Sequence, residues 1–239
     1  SASAKFWPAA SAKRAERAWP DVGKMVVPVK ALWRRGALLI FLLVVGFGAT
    51  PARAEFSDDD RADIARMESY LNGIRSLQAQ FVQVAENGSV AEGTFSLERP
   101  GRLRFEYTPP TPILIVGTGK TLVFYDAELG QVSRLPIDRT LLGFLSAETF
   151  AFDDSVIVEA VIREPGLLAV TVRDSKHPAE GSVTILFSDA PLRLRQWQVR
   201  DAQGKLTTIA LTDLRTNLAL DPELFRFVDP DPFGRVTPP

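Results

Sequence analysis

Apolar residues recur at spacings of three and four only once at length. Ile64, Met67, Leu71 and Ile74 form one stripe, the periodicity of an amphipathic helix. Ser57-Asp-Asp-Asp60 stands just before it. Ser57 can cap the first turn, Asp60 occupies the acid position of a capping box, and three carboxylates face the positive end of the dipole. Asn72-Gly73 weakens the last turn, so the helix is expected to end near Arg75. From Leu77 the period drops to two. Leu77, Ala79 and Phe81 alternate with Gln78 and Gln80, and Glu86-Asn-Gly-Ser89 marks a hairpin. Phe95 and Leu97 follow, then a Pro100-Gly101 turn, then Leu103, Phe105 and Tyr107 alternating with Arg102, Arg104 and Glu106. This is the texture of an antiparallel meander with one apolar and one polar face.

Ile113 to Val116 and Leu122 to Tyr125 continue that texture, and Asp138 to Phe150 interrupts it. Leu141, Leu142, Phe144 and Leu145 cluster there between polar ends, which predicts one or two short helices. Strands resume over Val156–Ile162, Leu167–Arg173, Val183–Phe187, Leu192–Arg200 and Leu206–Leu214, with a last short one at Leu224–Phe227. Glu164-Pro-Gly166, Ser188-Asp-Ala-Pro191 and Asp201-Ala-Gln-Gly204 are the turns. About ten strands at short, regular spacing predict a barrel or sandwich in a single domain.

The first 54 residues read as an address. Lys30, Arg34 and Arg35 precede the apolar run from Ala37 to Gly48, and Ala52-Arg53-Ala54 is a small-x-small cleavage site. That combination is a secretory signal peptide. The run falls short of the ~20 residues that a membrane-spanning helix needs, the competing reading being a retained anchor. Residues 25–54 are therefore assigned to a signal peptide beginning at Met25, residues 1–24 to upstream sequence outside the domain, and residues 55–239 to the exported domain. The Arg34-Arg35 pair leaves general and twin-arginine export both open. Charge divides at the same place: +7 over Ser1–Ala54 and −8 over Glu55–Pro239. A net-acidic folded part argues against general nucleic-acid binding.

Candidate chemistry mostly dissolves on inspection. Gly117-Thr-Gly-Lys-Thr121 mimics the end of a phosphate loop, but Leu114 stands where the loop needs its first glycine, so a turn is expected. The single histidine, His177, lies in a Ser-Lys-His-Pro turn, and the chain has no cysteine. A nucleophilic dyad or a histidine–cysteine metal site has nothing to be built from. Asp58–Asp60 and Asp153-Asp154 read as a helix start and a solvated turn. Asn87-Gly-Ser89 matches a glycosylation sequon, and a tight turn explains it. No enzyme, cofactor or metal is expected. The abundance of apolar sheet positions fits a plain core or a ligand cavity, and periodicity does not separate the two.

Four stretches separate them by resemblance. Gly93-Thr-Phe-Ser-Leu-Glu-Arg-Pro-Gly-Arg-Leu-Arg-Phe-Glu-Tyr107 resembles the signature of the outer-membrane lipoprotein carriers, the LolA-type periplasmic chaperones; Glu98 departs from the usual basic residue. Leu77–Gln83, Gly119–Tyr125 and Asp221–Phe227 fit the same family in the same order. The resemblance implies a mainly β (α+β) fold, an incomplete, half-open antiparallel β-barrel with an N-terminal amphipathic helix and short lid helices. It implies a monomeric periplasmic carrier that hides the acyl chains of lipoproteins. Its partners would be those lipoproteins, an inner-membrane ABC release complex and an outer-membrane receptor. By the same resemblance Arg99 holds the lid shut, and Leu71 and Leu103 sit at cavity or lid positions. Phe81, Phe95, Leu97, Phe105, Leu142 and Leu145 join them as acyl-chain candidates on periodicity. A paralogue of the same fold that binds glycolipids or other acyl ligands, or senses lipoproteins, and a structural β-domain without ligand are the alternatives.

Overall fold

The computed structural model describes residues 56–230. The segments assigned to upstream sequence and signal peptide lie outside those residues, as does the end of the chain. Helix α1 (Asp58–Asn72) opens on the expected capping box: Ser57 Oγ accepts from the Asp60 N–H at 3.1 Å, and the Asp60 carboxylate accepts from the Ser57 N–H at 3.1 Å. Hydrogen bonding from Ser57 is the main reason that the Asp60 carboxyl titrates below the usual carboxylate range. The helix ends at Asn72, three residues earlier than the stripe predicts. Asn72 turns its side chain to the backbone of Phe150, and Asn217 takes up the Gly73 carbonyl and the Arg75 N–H. The exit is thus held by side chains rather than by another helical turn.

Eleven strands follow: β1 (Ser76–Ala85), β2 (Val90–Glu98), β3 (Arg102–Tyr107), β4 (Ile113–Thr118), β5 (Thr121–Asp126), β6 (Gln131–Pro136), β7 (Val156–Glu164), β8 (Leu167–Asp174), β9 (Gly181–Ser188), β10 (Arg193–Asp201) and β11 (Leu206–Thr216). They form one antiparallel sheet in the order β6-β5-β4-β3-β2-β1-β11-β10-β9-β8-β7. Two meanders are therefore joined through a single long pairing, β1 with β11, in which Phe81 faces Leu211 and Val84 faces Thr208. The barrel is incomplete: β6 and β7 are the two ends of the sheet and do not pair with each other.

The sheet is nevertheless strongly curved. β3 and β10 stand four strands apart, about 19 Å in a flat sheet at ~4.8 Å per strand. Yet the rings of Phe105 on β3 and Trp197 on β10 lie 6.3 Å apart, and Phe95 on β2 reaches Trp197 at 5.6 Å. Register shifts at Gln78/Gln80, Val158/Ala160 and Leu194/Gln196 supply part of the bend, since a bulge kinks its strand and raises the local twist.

Two expectations need correction. β6 was not among the predicted strands. Leu224–Phe227 is not a strand; Pro222–Phe225 is a 3-10 turn. Pro222 has no N–H to lose at the first helical position, and Asp221 caps the turn by accepting from the Glu223 N–H at 3.0 Å. The turn seats Phe225 on the outer face of the sheet, where Arg102 lies over its ring at 6.0 Å and Arg104 donates to the Leu224 carbonyl at 3.3 Å.

Candidate functional site

The inner face of the curl is almost wholly apolar. Phe81, Phe95, Phe105, Tyr107 and Trp197 form a continuous set of ring contacts, Phe95 stacking on Phe105 at 4.3 Å and the others meeting edge to face. The Tyr107 hydroxyl on this face is satisfied, donating to Gln83 Oε1 at 2.6 Å. Burial holds the Tyr107 phenol neutral well above its usual range.

Two pieces of chain cover this face. The first is α1, which buries Met67 and Leu71 inward. Its Asp63, 6 % exposed, receives Arg66 at 3.0 Å and Arg163 of β7 at 2.7 Å. Arg163 also pairs with Asp60, and Arg66 with Asp189 in the β9–β10 turn. The Asp63 carboxylate is the main reason the Arg163 guanidinium binds its proton more tightly than usual. The second piece is the connection from β6 to β7, which carries a 3-10 turn (Ile137–Arg139) and helix α2 (Leu141–Ser146). The interrupted texture at Asp138–Phe150 is this segment. Thr140 caps α2 by accepting from the Gly143 N–H. Phe144 of α2 packs with Phe150 and Phe152 beyond it, and Asn72 and Glu68 of α1 bond the backbone of Phe150 and Phe152 at 2.8 and 2.9 Å.

The other fastening of that connection is made at the Arg99-Pro-Gly101 turn. A short helix ends with carbonyls that have no partner within the helix, and those of α2 find one here. Arg99 Nη2 donates to the Leu145 carbonyl at 3.1 Å, and the Gly101 N–H donates to the Ser146 carbonyl at 2.8 Å. Gly101 has φ +69°, and a Cβ there would stand 2.0 Å from the Gly119 carbonyl oxygen. Only glycine fits. Gly119 belongs to the β4–β5 turn, so the segment that mimics a phosphate loop is a hairpin whose apex backs this site.

Arg99 is 9 % exposed. Burial depresses its pKa, and the like charge of Arg75 depresses it further. Its Nε and Nη1 are buried without a hydrogen-bond partner among the described residues. The guanidinium borders a small space also walled by Leu71, Ile74, Leu77, Phe95, Leu97, Leu145, Leu194 and Trp197, of about 20 Å³. That is room for about one water molecule, against the ~300 Å³ at which ligand pockets begin. Of the predicted site residues, Arg99, Leu71, Phe95, Leu97 and Leu145 come together at this space. Phe81, Leu103, Phe105 and Leu142 are buried in the same apolar cluster without bordering it.

Leu194 and Trp197 also line the space, and the sequence pattern does not point to them. They are three residues apart, and only the Leu194/Gln196 bulge returns both to the inner face. Strict alternation puts them on opposite faces, so the signal was masked. Among the described residues no group of three His, Cys, Asp or Glu is placed to hold a metal ion. Asp153 caps the Ser155 N–H, and His177 is exposed in its turn beside Asp174.

Comparison with known proteins agrees with this architecture. The family model for the outer membrane lipoprotein carrier protein LolA matches residues 72–228. An outer-membrane lipoprotein carrier protein of Methylococcus capsulatus is 35 % identical over 175 residues, covering 70 % of this chain and 83 % of that protein. One from Alkalilimnicola ehrlichii is 30 % identical over 205 residues, covering 81 % and 90 %. A Rickettsia prowazekii protein named only as uncharacterized is 23 % identical over 196 residues, covering 82 % and 90 %. The match takes in the exit of α1, all eleven strands, the Arg99-Pro-Gly101 turn and the covering segment; the chain belongs to the outer membrane lipoprotein carrier protein family, LolA.

Proposed function

We propose that this chain is a periplasmic chaperone that shelters the acyl chains of lipoproteins between the curved sheet and its two helical covers. It would take cargo from an inner-membrane ABC release complex and hand it to an outer-membrane receptor. Each acyl methylene removed from water contributes about 0.8 kcal/mol, so a ~16-carbon chain contributes on the order of 10 kcal/mol. Two or three such chains do not cross an aqueous compartment unshielded. The observation that carries the reading is a contrast: a continuous aromatic and aliphatic face, with α2 held to the Arg99-Pro-Gly101 turn by one side-chain bond and one backbone bond. A cover fastened in that way can be exchanged for acyl chains, which a close-packed core cannot. Arg99 is the lid-closing residue in this reading. Leu71, Phe81, Phe95, Leu97, Leu103, Phe105, Leu142 and Leu145 become acyl-chain contacts once the lid moves.

The test is capture from periplasm with the purified protein, followed by mass spectrometry of bound proteins and lipids. A soluble 1:1 complex with an acylated lipoprotein, and none with its unacylated form, is expected. Equal capture of both forms would overturn the reading. Free lipids without lipoproteins would move the function to a carrier of other acyl ligands.

A further inference from the structure

Arg99 has more hydrogen-bonding capacity than its contact with α2 uses. The Leu145 carbonyl occupies Nη2, leaving Nε and Nη1 buried at the apolar space with nothing to donate to among the described residues. Orphaned donors at such depth cost free energy. The charges around the group do not offset this. On α1 and its exit, Arg75 adds a second positive charge, and Glu68 is engaged by the Phe152 N–H. Glu98, beside it at the end of β2, pairs through Oε1 with Arg102 of β3 at 2.9 Å, and its Oε2 is buried without a hydrogen-bond partner among the described residues. Arg193 and Arg195 of β10 are exposed, and α2 carries no charged residue. No ion pair to Arg99 forms among the described residues. The pocket therefore presents a buried positive charge with spare donors to whatever enters it.

The N-terminus of a lipoprotein cargo is a glyceryl-thioether cysteine bearing ester carbonyls. Its amino group is either acylated, hence a neutral amide, or free, hence an ammonium near pH 7. Ester and amide carbonyls are acceptors of the kind Nε and Nη1 lack. An ammonium is not an acceptor, and it brings a like charge into a low-dielectric site, where repulsion is far stronger than in water. We propose that Arg99 reads the amino terminus of the cargo, donating to the neutral carbonyls of an N-acylated cysteine and rejecting a free ammonium. This rests on the carrier reading and adds to it a rule of cargo choice.

Two synthetic lipopeptides with the same pair of S-glyceryl acyl chains test it, one with a free cysteine amine and one N-acetylated. Chain number and apolar area are then almost equal, so the readout is the ratio of their Kd values and not either alone. At pH 6.5 the protein is expected to bind the N-acetyl form at least about tenfold more tightly. Arg99→Gln should bring the ratio near one, whatever the loss of the α2 contact does to both affinities. A second arm needs no variant. The free amine loses its proton around pH 8, and at pH 9 the ratio in the unaltered protein should also approach one. Equal binding of the two peptides at pH 6.5 would overturn the cargo rule and leave the carrier reading intact. A ratio unchanged at pH 9 would overturn it equally. Failure of both peptides to bind would overturn the carrier reading itself.

Discussion

At the scale of single residues, Arg99 and Gly101 illustrate two different kinds of irreplaceability. Gly101 is required by backbone geometry. Replacing it with alanine places a Cβ at 2.0 Å from the Gly119 carbonyl oxygen and strains a φ of +69°. Gly166→Ala, at φ +79° with nothing within 4 Å, meets only the strain. Gly101→Ala should therefore cost distinctly more than the ~1 kcal/mol expected of a positive-φ glycine alone, read as the difference between the two denaturation midpoints. Arg99 is different, because its burial is already unfavourable. Arg99→Leu removes an unfavourably buried charge and at the same time the donor to the Leu145 carbonyl, two effects of opposite sign. Because the two offset, Arg99→Leu is expected to shift the unfolding free energy by no more than about 1–2 kcal/mol, while altering the fluorescence of a hydrophobic dye added to the empty protein. A large loss of stability with an unchanged dye signal would make Arg99 a strut and not a latch.

At the scale of elements, the join between α1 and the covering segment is concentrated in Asn72, whose amide both donates to and accepts from the Phe150 backbone. Asn72→Ala leaves two backbone groups without partners and should cost about 1–3 kcal/mol. Hydrogen exchange should accelerate at the Phe150 and Phe152 amides and stay slow across the β1–β11 pairing; uniform acceleration would show that the segment does not open by itself. The elements legible in the sequence were those whose signal is local. The capping box and stripe disclosed α1, alternation disclosed β1 to β3, and short apolar runs between turn residues disclosed β4 and β5. β6 was illegible because its Gln-Val-Ser-Arg-Leu-Pro has few apolar positions, and Arg134 on it is engaged by Phe227 and Asp229 of the C-terminal segment. Phe225 was mistaken for a strand residue because a buried aromatic looks the same in a sheet and in a capped turn. Trp197 escaped notice through a bulge, which no alternation rule anticipates.

At the scale of the molecule, stability should decline toward both ends of the pH range. The Asp60 and Asp153 carboxyls titrate lower in the fold than their usual 3.8. Their contribution is present above that value and is lost as the pH falls below it. Tyr107 is shifted the other way, its phenol resisting ionisation because it is buried. Its contribution is complete below about pH 10 and fades as the pH rises beyond, since the unfolded chain ionises first. Thermal melts across pH 2–12 should trace both limbs, and Tyr107→Phe should shallow the alkaline one only. Melts of that variant superimposing on the parent above pH 10 would refute the assignment.

The β6–β7 connection also bears on how the cover would return in the proposed carrier role. It is joined to the sheet covalently at both ends, through Pro136 and Val156. Displaced, it stays within the short radius that its own contour allows, at an effective concentration of the millimolar order typical of short tethers. Reclosure is then first order: neither dilution nor the abundance of partners alters its rate. In the proposed carrier role, a departing cargo would be followed by a cover already waiting beside it, and the protein would reset without a separate input of energy.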